Sequence, residues 1–275
     1  MPKKNLSSSG QTGPLSVGNV VNASLRIYRD HFKSYFGLAF VASLWLLVPI
    51  YGWAKYSAIA ALISRLAFGE VREKPETVSD VRRQVNPRMW SFLWAGILTF
   101  LIYIGVSFVG GIAMFFVGRG AGALFGQNFI LVAAFVVVAV IAFLIIYIRI
   151  ISRLLIVELP LAIENNIGAT SAIGRSWELT KGSVGRIQWI VFVGILVSLP
   201  ITFVGQILSG IVQTVLRTVL GAESGIFFLV YSLLIVLLSF ASGALVTPFW
   251  QAMKAIIYYD LRSRKEGLGL QMRKR

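Results

Sequence analysis

Residues 129–148 read FILVAAFVVVAVIAFLIIYI, 20 consecutive apolar side chains. At about 1.5 Å per residue this is ~30 Å of helix, the thickness of a bilayer's hydrocarbon core. The flanking sequence repeats the theme. The windows 89–118, 187–216 and 224–253 contain no charged side chain. Windows of this length can span with some tilt. Across the 275 residues, 57% are apolar and 13% charged. A soluble domain carries about 25% charged residues. The expected fold is therefore all-α, a polytopic membrane helix bundle, and a water-soluble enzyme fold is excluded.

The chain has no cysteine and one histidine, His31. Disulfides, thiol nucleophiles and thiolate metal sites are excluded, as is any site that needs two imidazoles. Residues 1–14 (MPKKNLSSSGQTGP) are polar and Ser/Gly/Pro-rich and read as a disordered tail. Residues 15–267 form one integral membrane domain, and 268–275 a basic C-terminal tail. From Leu15 to Lys33, Val17, Val20, Val21, Leu25, Tyr28 and Phe32 recur at helical spacing, with Asn22, Arg26, Arg29 and Lys33 between them. Such a stripe predicts an amphipathic helix in the headgroup plane. A second amphipathic helix is expected over 165–181, with Ala169, Ala172, Ile173, Trp177 and Thr180 on one face. Arg26-x-Tyr28 matches Arg175-x-Trp177, a weak sign of a parallel repeat.

The run from Phe36 to Phe68 is broken by Pro49 and Tyr51-Gly52. Its first arm, 34–50, reads as a crossing. Its second, 53–69, contains Lys55, Ser57, Ser64 and Arg65, and hydropathy alone makes it interfacial or re-entrant. Charge arbitrates, because cytoplasmic loops collect Lys and Arg. With six crossings one face receives five cations from the tail and first helix, six from 65–88, five from 149–186 and seven from Lys254 onward, 23 of 26 in all. Lys55, Arg119 and Arg217 remain outside. The best five-crossing split is only 19 to 7. The prediction is six crossings, the first two a tight hairpin over 34–69, with both termini cytoplasmic. Trp45, Tyr51, Trp53 and Tyr56 then mark the outer turn, and Trp90, Trp94, Trp177, Trp189, Trp250, Tyr258 and Tyr259 an inner aromatic belt.

That layout explains the net charge of +15. Basic inner loops orient the protein and attract anionic lipid headgroups, so nucleic acid is not the expected partner. Of the acidic residues only Glu223 falls outside. Gly118, Gly122 and Gly126 read as a flexible outer connector rather than a packing face. Gly194/Ser198 and Gly205/Ser209 are better placed for close helix contact. Glu158 is expected to pair with Arg153, Asp260 with Arg264 and Arg262 with Glu266. Gly267 is a natural helix stop. Pro200 and Pro248 fall inside long runs and should kink them.

Three segments carry a resemblance. LSVGNVVNASLRIYRDHF at 15–32, LPLAIENNIGATSAIGRSWELTKG at 159–182, and Pro248 followed by YYDLRSRKEG at 258–267 resemble the glycerophosphoryl diester phosphodiesterase membrane-domain family. The resemblance implies a bacterial membrane protein of about this size, located in the cytoplasmic membrane. It does not imply the enzyme. The phosphodiesterase barrel would add about 250 residues, and its chemistry, as the family implies, uses a histidine pair that this chain lacks.

The expected function is non-enzymatic, with no cofactor: a scaffold, anchor or accessory subunit. Arg26, Arg29, Lys33, Arg175, Lys181 and Arg186 would contact anionic lipid or a partner protein. The alternative is a channel, transporter or lipid-handling protein with a path along the kinked fifth and sixth helices, lined by Gln206 and Gln213. No ionisable residue sits near the midplane of crossings three to six, where coupled transporters place one.

Overall fold

The computed structural model describes residues 15–126, 128–221 and 224–267. The two expected tails, Gln127 and Glu223 lie outside the described residues. Every regular element among those described is helical. Helix α1 covers Val17–Asp30, α2 Phe32–Trp45, α3 Tyr51–Val71 and α4 Val78–Val85. Helices α5 (Met89–Phe125), α6 (Phe129–Leu154), α9 (Val184–Leu220) and α10 (Gly225–Glu266) are the long ones. Two short helices, α7 (Glu158–Ile163) and α8 (Ala169–Thr180), lie between α6 and α9.

Four helical stretches, containing α5, α6, α9 and α10, are long and apolar enough to cross a membrane. The expected first two crossings form the α2–α3 hairpin. Its arms have 14 and 21 residues and do not reach that standard. α5 packs on α6, α6 on α9, and α9 on α10. α3 closes the ring at one end by lying between α10 and α5. The buried core gathers there. It draws on α1, α3, α7, α8, the first turns of α5 and α9, and the last half of α10. The other ends of the four long helices expose large apolar side chains, among them Phe108, Phe116, Phe203 and Leu229.

α3 holds the centre because its side chains are small. Ala54, Ala58, Ala61 and Ala67 are fully buried, beside Leu62 and Ile63. Small residues let helix backbones approach closely. The helix looks marginal in the sequence because Lys55, Ser57, Ser64 and Arg65 interrupt it. Gly194 faces the Met253 methyl and Gly205 faces Ser242 Oγ, at 3.0 and 2.9 Å from where a Cβ would stand. These are the close α9–α10 contacts that the sequence predicts. Gly110 does the same for α5 against the Phe143 ring.

Several expectations need correction. Within the Leu15–Lys33 stripe, Leu25 and Phe32 are exposed, while the rest of the apolar face packs inward. Val20, Val21, Ala23, Ile27 and Tyr28 are buried, and α1 packs against α10 and α9. Val20, Val21 and Tyr28 of the stripe thus belong to the core, and the chain breaks at His31 before α2 begins. The polar stretch after Glu70 contains α4, started by Thr77, whose Oγ1 accepts from the Asp80 amide at 3.2 Å. Val81 and Val85 anchor that helix in the core. The glycine-rich stretch is not a connector, since α5 runs on to Phe125. A Cβ at Gly118 or Gly122 would meet open space, so these glycines form no packing face either. Pro200 and Pro248 lie within continuous helices, and Gly267 ends α10 in the left-handed conformation.

Candidate functional site

The polar residues of the chain converge at the packed end of the bundle. The α6–α9 segment crosses beneath the core and brings Glu158, Glu164 and Arg175 to the last turns of α10. Arg175 Nε donates to Glu164 Oε1 at 3.2 Å, its Nη2 donates to Glu266, and Nη1 lies 3.8 Å from Glu178 Oε2. Glu164 also accepts from the Tyr258 hydroxyl at 2.6 Å. Arg262 donates to Glu266 Oε2 at 2.6 Å, as its i,i+4 spacing predicts. Arg175 and Arg262, from separate segments of the chain, are thus fixed by a shared carboxylate. Charge-assisted bonds of this kind are about twice as strong as neutral ones.

A second knot ties the chain's beginning to α9 and α10. Arg186 pairs with Asp260 through Nη2 and donates from Nη1 to the Leu15 carbonyl at 3.1 Å. The Leu15 amide donates to Asp260 Oδ1 at 3.1 Å. Asp260 therefore belongs chiefly to Arg186, with Arg264 at 4.0 Å. A third knot joins α3, α7 and α10. Ser64 Oγ lies 2.8 Å from Glu158 Oε1 and 2.9 Å from Gln251 Oε1, and Lys254 Nζ donates to Glu158 at 3.2 Å. A hydroxyl has one hydrogen. The carboxylate is the stronger acceptor and takes it, so Gln251 turns its amide nitrogen toward Ser64. Glu158 does not pair with Arg153. Arg153 instead stacks over the Trp177 ring at 4.3 Å, and its carbonyl accepts from Ser176 at 2.7 Å.

Two more arginines brace loops. Arg65 makes a two-pronged pair with Glu76 at 2.8 and 3.2 Å and donates to the Ala162 carbonyl at 2.6 Å. Arg88 donates to the carbonyls of Glu164 and Ile167 at 3.0 and 2.7 Å. His31 meets Glu70 at 3.3 Å and fastens the α1–α2 joint to the end of α3. On α1, burial pushes the Tyr28 hydroxyl up to about 12, so it stays neutral at physiological pH.

The six cations predicted to meet lipid or a partner divide in two. Arg175 and Arg186 are turned into the knots just described. Arg29, Lys33 and Lys181 are exposed and Arg26 is half-buried. Arg29 has Asp30 nearby, at 3.7 Å, with its own side chain 80% exposed. Gln206 is exposed and Gln213 half-exposed on the far half of α9. A cleft lies elsewhere, between α5 and α8. It is apolar, about 390 Å³, open, and lined by Leu98, Leu101, Ile102, Thr170 and Ile173. Tyr258, expected in the inner aromatic belt, is fully buried instead, while Trp90, Trp94, Trp177 and Trp189 are exposed. No group of three His, Cys, Asp or Glu side chains able to hold a metal occurs among the described residues.

The cross-chain knots escape sequence reading because their partners lie far apart in the chain. The available signal is that Arg186 and Asp260 stand where two successive long helices leave their apolar runs. No known family model, characterised protein or solved structure matches the chain.

Proposed function

We propose that the chain is a non-enzymatic multi-pass membrane protein that works as an anchor or scaffold, with its packed end in the cytoplasm and both termini on that side. The 23-to-3 division of cations supports the sidedness. If the α2–α3 hairpin enters and returns instead of crossing twice, the same 23 cations keep their side and only Lys55 leaves the outer count. One observation carries the functional reading. The internal knots engage Glu76, Glu158, Glu164, Asp260 and Glu266, and Arg26, Arg29, Lys33 and Lys181 still stand at the surface. An anionic headgroup layer is the complement of such a surface, each surface cation contributing about 1 kcal/mol near the membrane. An acidic partner protein is the second candidate occupant.

The motif likeness to the glycerophosphoryl diester phosphodiesterase membrane domain belongs to the same proposal. Its marker residues have structural work here: Ser176 and Trp177 hold Arg153, Tyr258 holds Glu164, and Asp260 holds Arg186. A conducting path between α9 and α10 finds less support, because Gly194 and Gly205 bring those helices into direct contact.

The test is a charge-reversed variant carrying Arg26→Glu, Arg29→Glu, Lys33→Glu and Lys181→Glu. It should purify with several-fold less anionic phospholipid by lipid mass spectrometry, and added phosphatidylglycerol should no longer raise its melting temperature. Unchanged lipid retention would refute lipid anchoring.

A further inference from the structure

The α2–α3 hairpin has a definite depth, set by one hydrogen-bonded pair. Ser64 on α3 meets Gln251 on α10 at 2.9 Å. Later in both helices the Phe68 ring meets the Tyr258 ring, so the two run parallel. Followed back from the Ser64–Gln251 pair toward its first residue, α3 ends at Tyr51, which is level with Leu238 on α10. α10 continues past Leu238 as far again, to Gly225. At about 1.5 Å per residue the tip of the hairpin stops ~20 Å short of the far end of α10.

The surroundings show what lies at that depth. Beyond the level of the tip, α10 exposes Phe228, Leu229 and Leu233, and α9 exposes Ile211 and Val215. Large contiguous apolar surface of this kind on a multi-pass bundle faces hydrocarbon. Hydrocarbon therefore extends past the tip. The tip is itself apolar: Leu46, Leu47, Val48, Pro49 and Ile50 carry no polar side chain. Leu47 is 63% exposed and Ile50 61%.

The turn has the compactness this requires. The Tyr51 amide donates to the Pro49 carbonyl at 2.7 Å, a γ-turn centred on Ile50 at φ 61° and ψ −69°. The amides of Leu46, Leu47, Val48 and Gly52 also find carbonyl partners within 3.2 Å. Backbone at membrane depth must be satisfied internally, and of the turn amides only that of Ile50 has no carbonyl partner.

We infer that α2–α3 is a re-entrant hairpin. It enters from the cytoplasmic side, turns at Val48–Ile50 inside the hydrocarbon, and returns to the same side. Lipid acyl chains are the partner of its exposed tip. This replaces the two short crossings expected from the charge pattern and leaves every charged loop on the side already assigned. The re-entrant path needs the bundle to sit in a membrane and takes its cytoplasmic side from the sidedness proposed above; it is independent of the lipid-anchoring role. The rival is a turn at the outer interface, where Trp45, Tyr51, Trp53 and Lys55 would be at home. The Tyr51 ring covers the Lys55 ammonium at 5.6 Å, a contact that supports a cation away from water.

The absence of native cysteine makes the experiment direct. Single-cysteine chains Leu47→Cys, Ser224→Cys and Ser79→Cys are expressed and treated with a membrane-impermeant maleimide, on intact spheroplasts and again after they are opened. Ser224→Cys reports the far turn and Ser79→Cys the cytoplasmic side, so a wrong sidedness would show in those two alone. Leu47→Cys should stay unlabelled from both sides and label fully after denaturation in detergent. A nitroxide at the same position should show greater accessibility to oxygen than to an aqueous nickel chelate. Ile50→Cys repeats the test if Leu47→Cys does not accumulate. Maleimide labelling of the tip from either aqueous side, or preferential collision with the nickel chelate, would overturn the inference.

Discussion

At the residue scale, the glycines separate into those that touch a neighbour and those that do not. A Cβ on Gly52 would stand 1.8 Å from the Trp45 carbonyl oxygen, which is backbone and cannot move aside alone. Gly52→Ala should therefore lower the melting temperature measurably, by a loss of about 1–3 kcal/mol, the usual range for overpacking. Gly118→Ala meets open space and replaces a helical glycine. It should leave stability unchanged or raise it by up to about 1 kcal/mol. The pair of melting curves distinguishes a packing glycine from a merely frequent one, which spacing in a sequence cannot do. Lys55 gives a second contrast. In hydrocarbon a central lysine costs about 2.5–3.5 kcal/mol on the insertion scale. Lys55→Leu should then raise thermal stability in nanodiscs; at a watery outer turn the same change would be close to neutral.

At the scale of elements, the Arg186–Asp260 knot does more than a surface pair can. Asp260 is 6% exposed and Arg186 17%, and together they hold both backbone groups of Leu15. Removing one partner leaves the other buried without compensation, at about 3 kcal/mol. Asp260→Asn should loosen α1 from α9 and α10, read as faster cleavage after Arg26 or Arg29 in limited trypsin digestion. Restoring neutrality with Arg186→Met in the same chain should recover part of the loss. Much of this architecture is readable from sequence. The four long helices follow from uncharged windows, the close α9–α10 approach from Gly194 and Gly205, and the end of α10 from Gly267. The centre is not readable. α3 looks amphipathic because Lys55, Ser57, Ser64 and Arg65 interrupt it, yet its alanines fit it between α10 and α5. α1 is ambiguous for another reason, since an apolar stripe looks the same whether it meets lipid or protein. The knots depend on residues such as Ser64, Glu158 and Gln251 that only the folded chain brings together.

At the scale of the whole molecule, polar bonding and side-chain burial concentrate at one end, and the long helices expose large apolar side chains at the other. The two kinds of charge should respond differently to salt. Exposed cations such as Lys33 and Lys181 are screened within about 10 Å at 0.1 M ionic strength. Raising sodium chloride to about 1 M should strip bound anionic lipid while leaving the melting temperature in a zwitterionic nanodisc nearly constant, because the buried knots are screened much less. The arrangement has a further result for biosynthesis. α10 is the hub against which α1, α2, α3, α8 and α9 pack, and it follows all of them in the chain. Until the translocon releases it, the nascent protein holds Ala58, Ala61 and Ala67 of α3 without their lid, and Arg186 has no carboxylate. Ribosomes that halt before Gly225 would leave an open half-bundle for membrane quality-control proteases to remove.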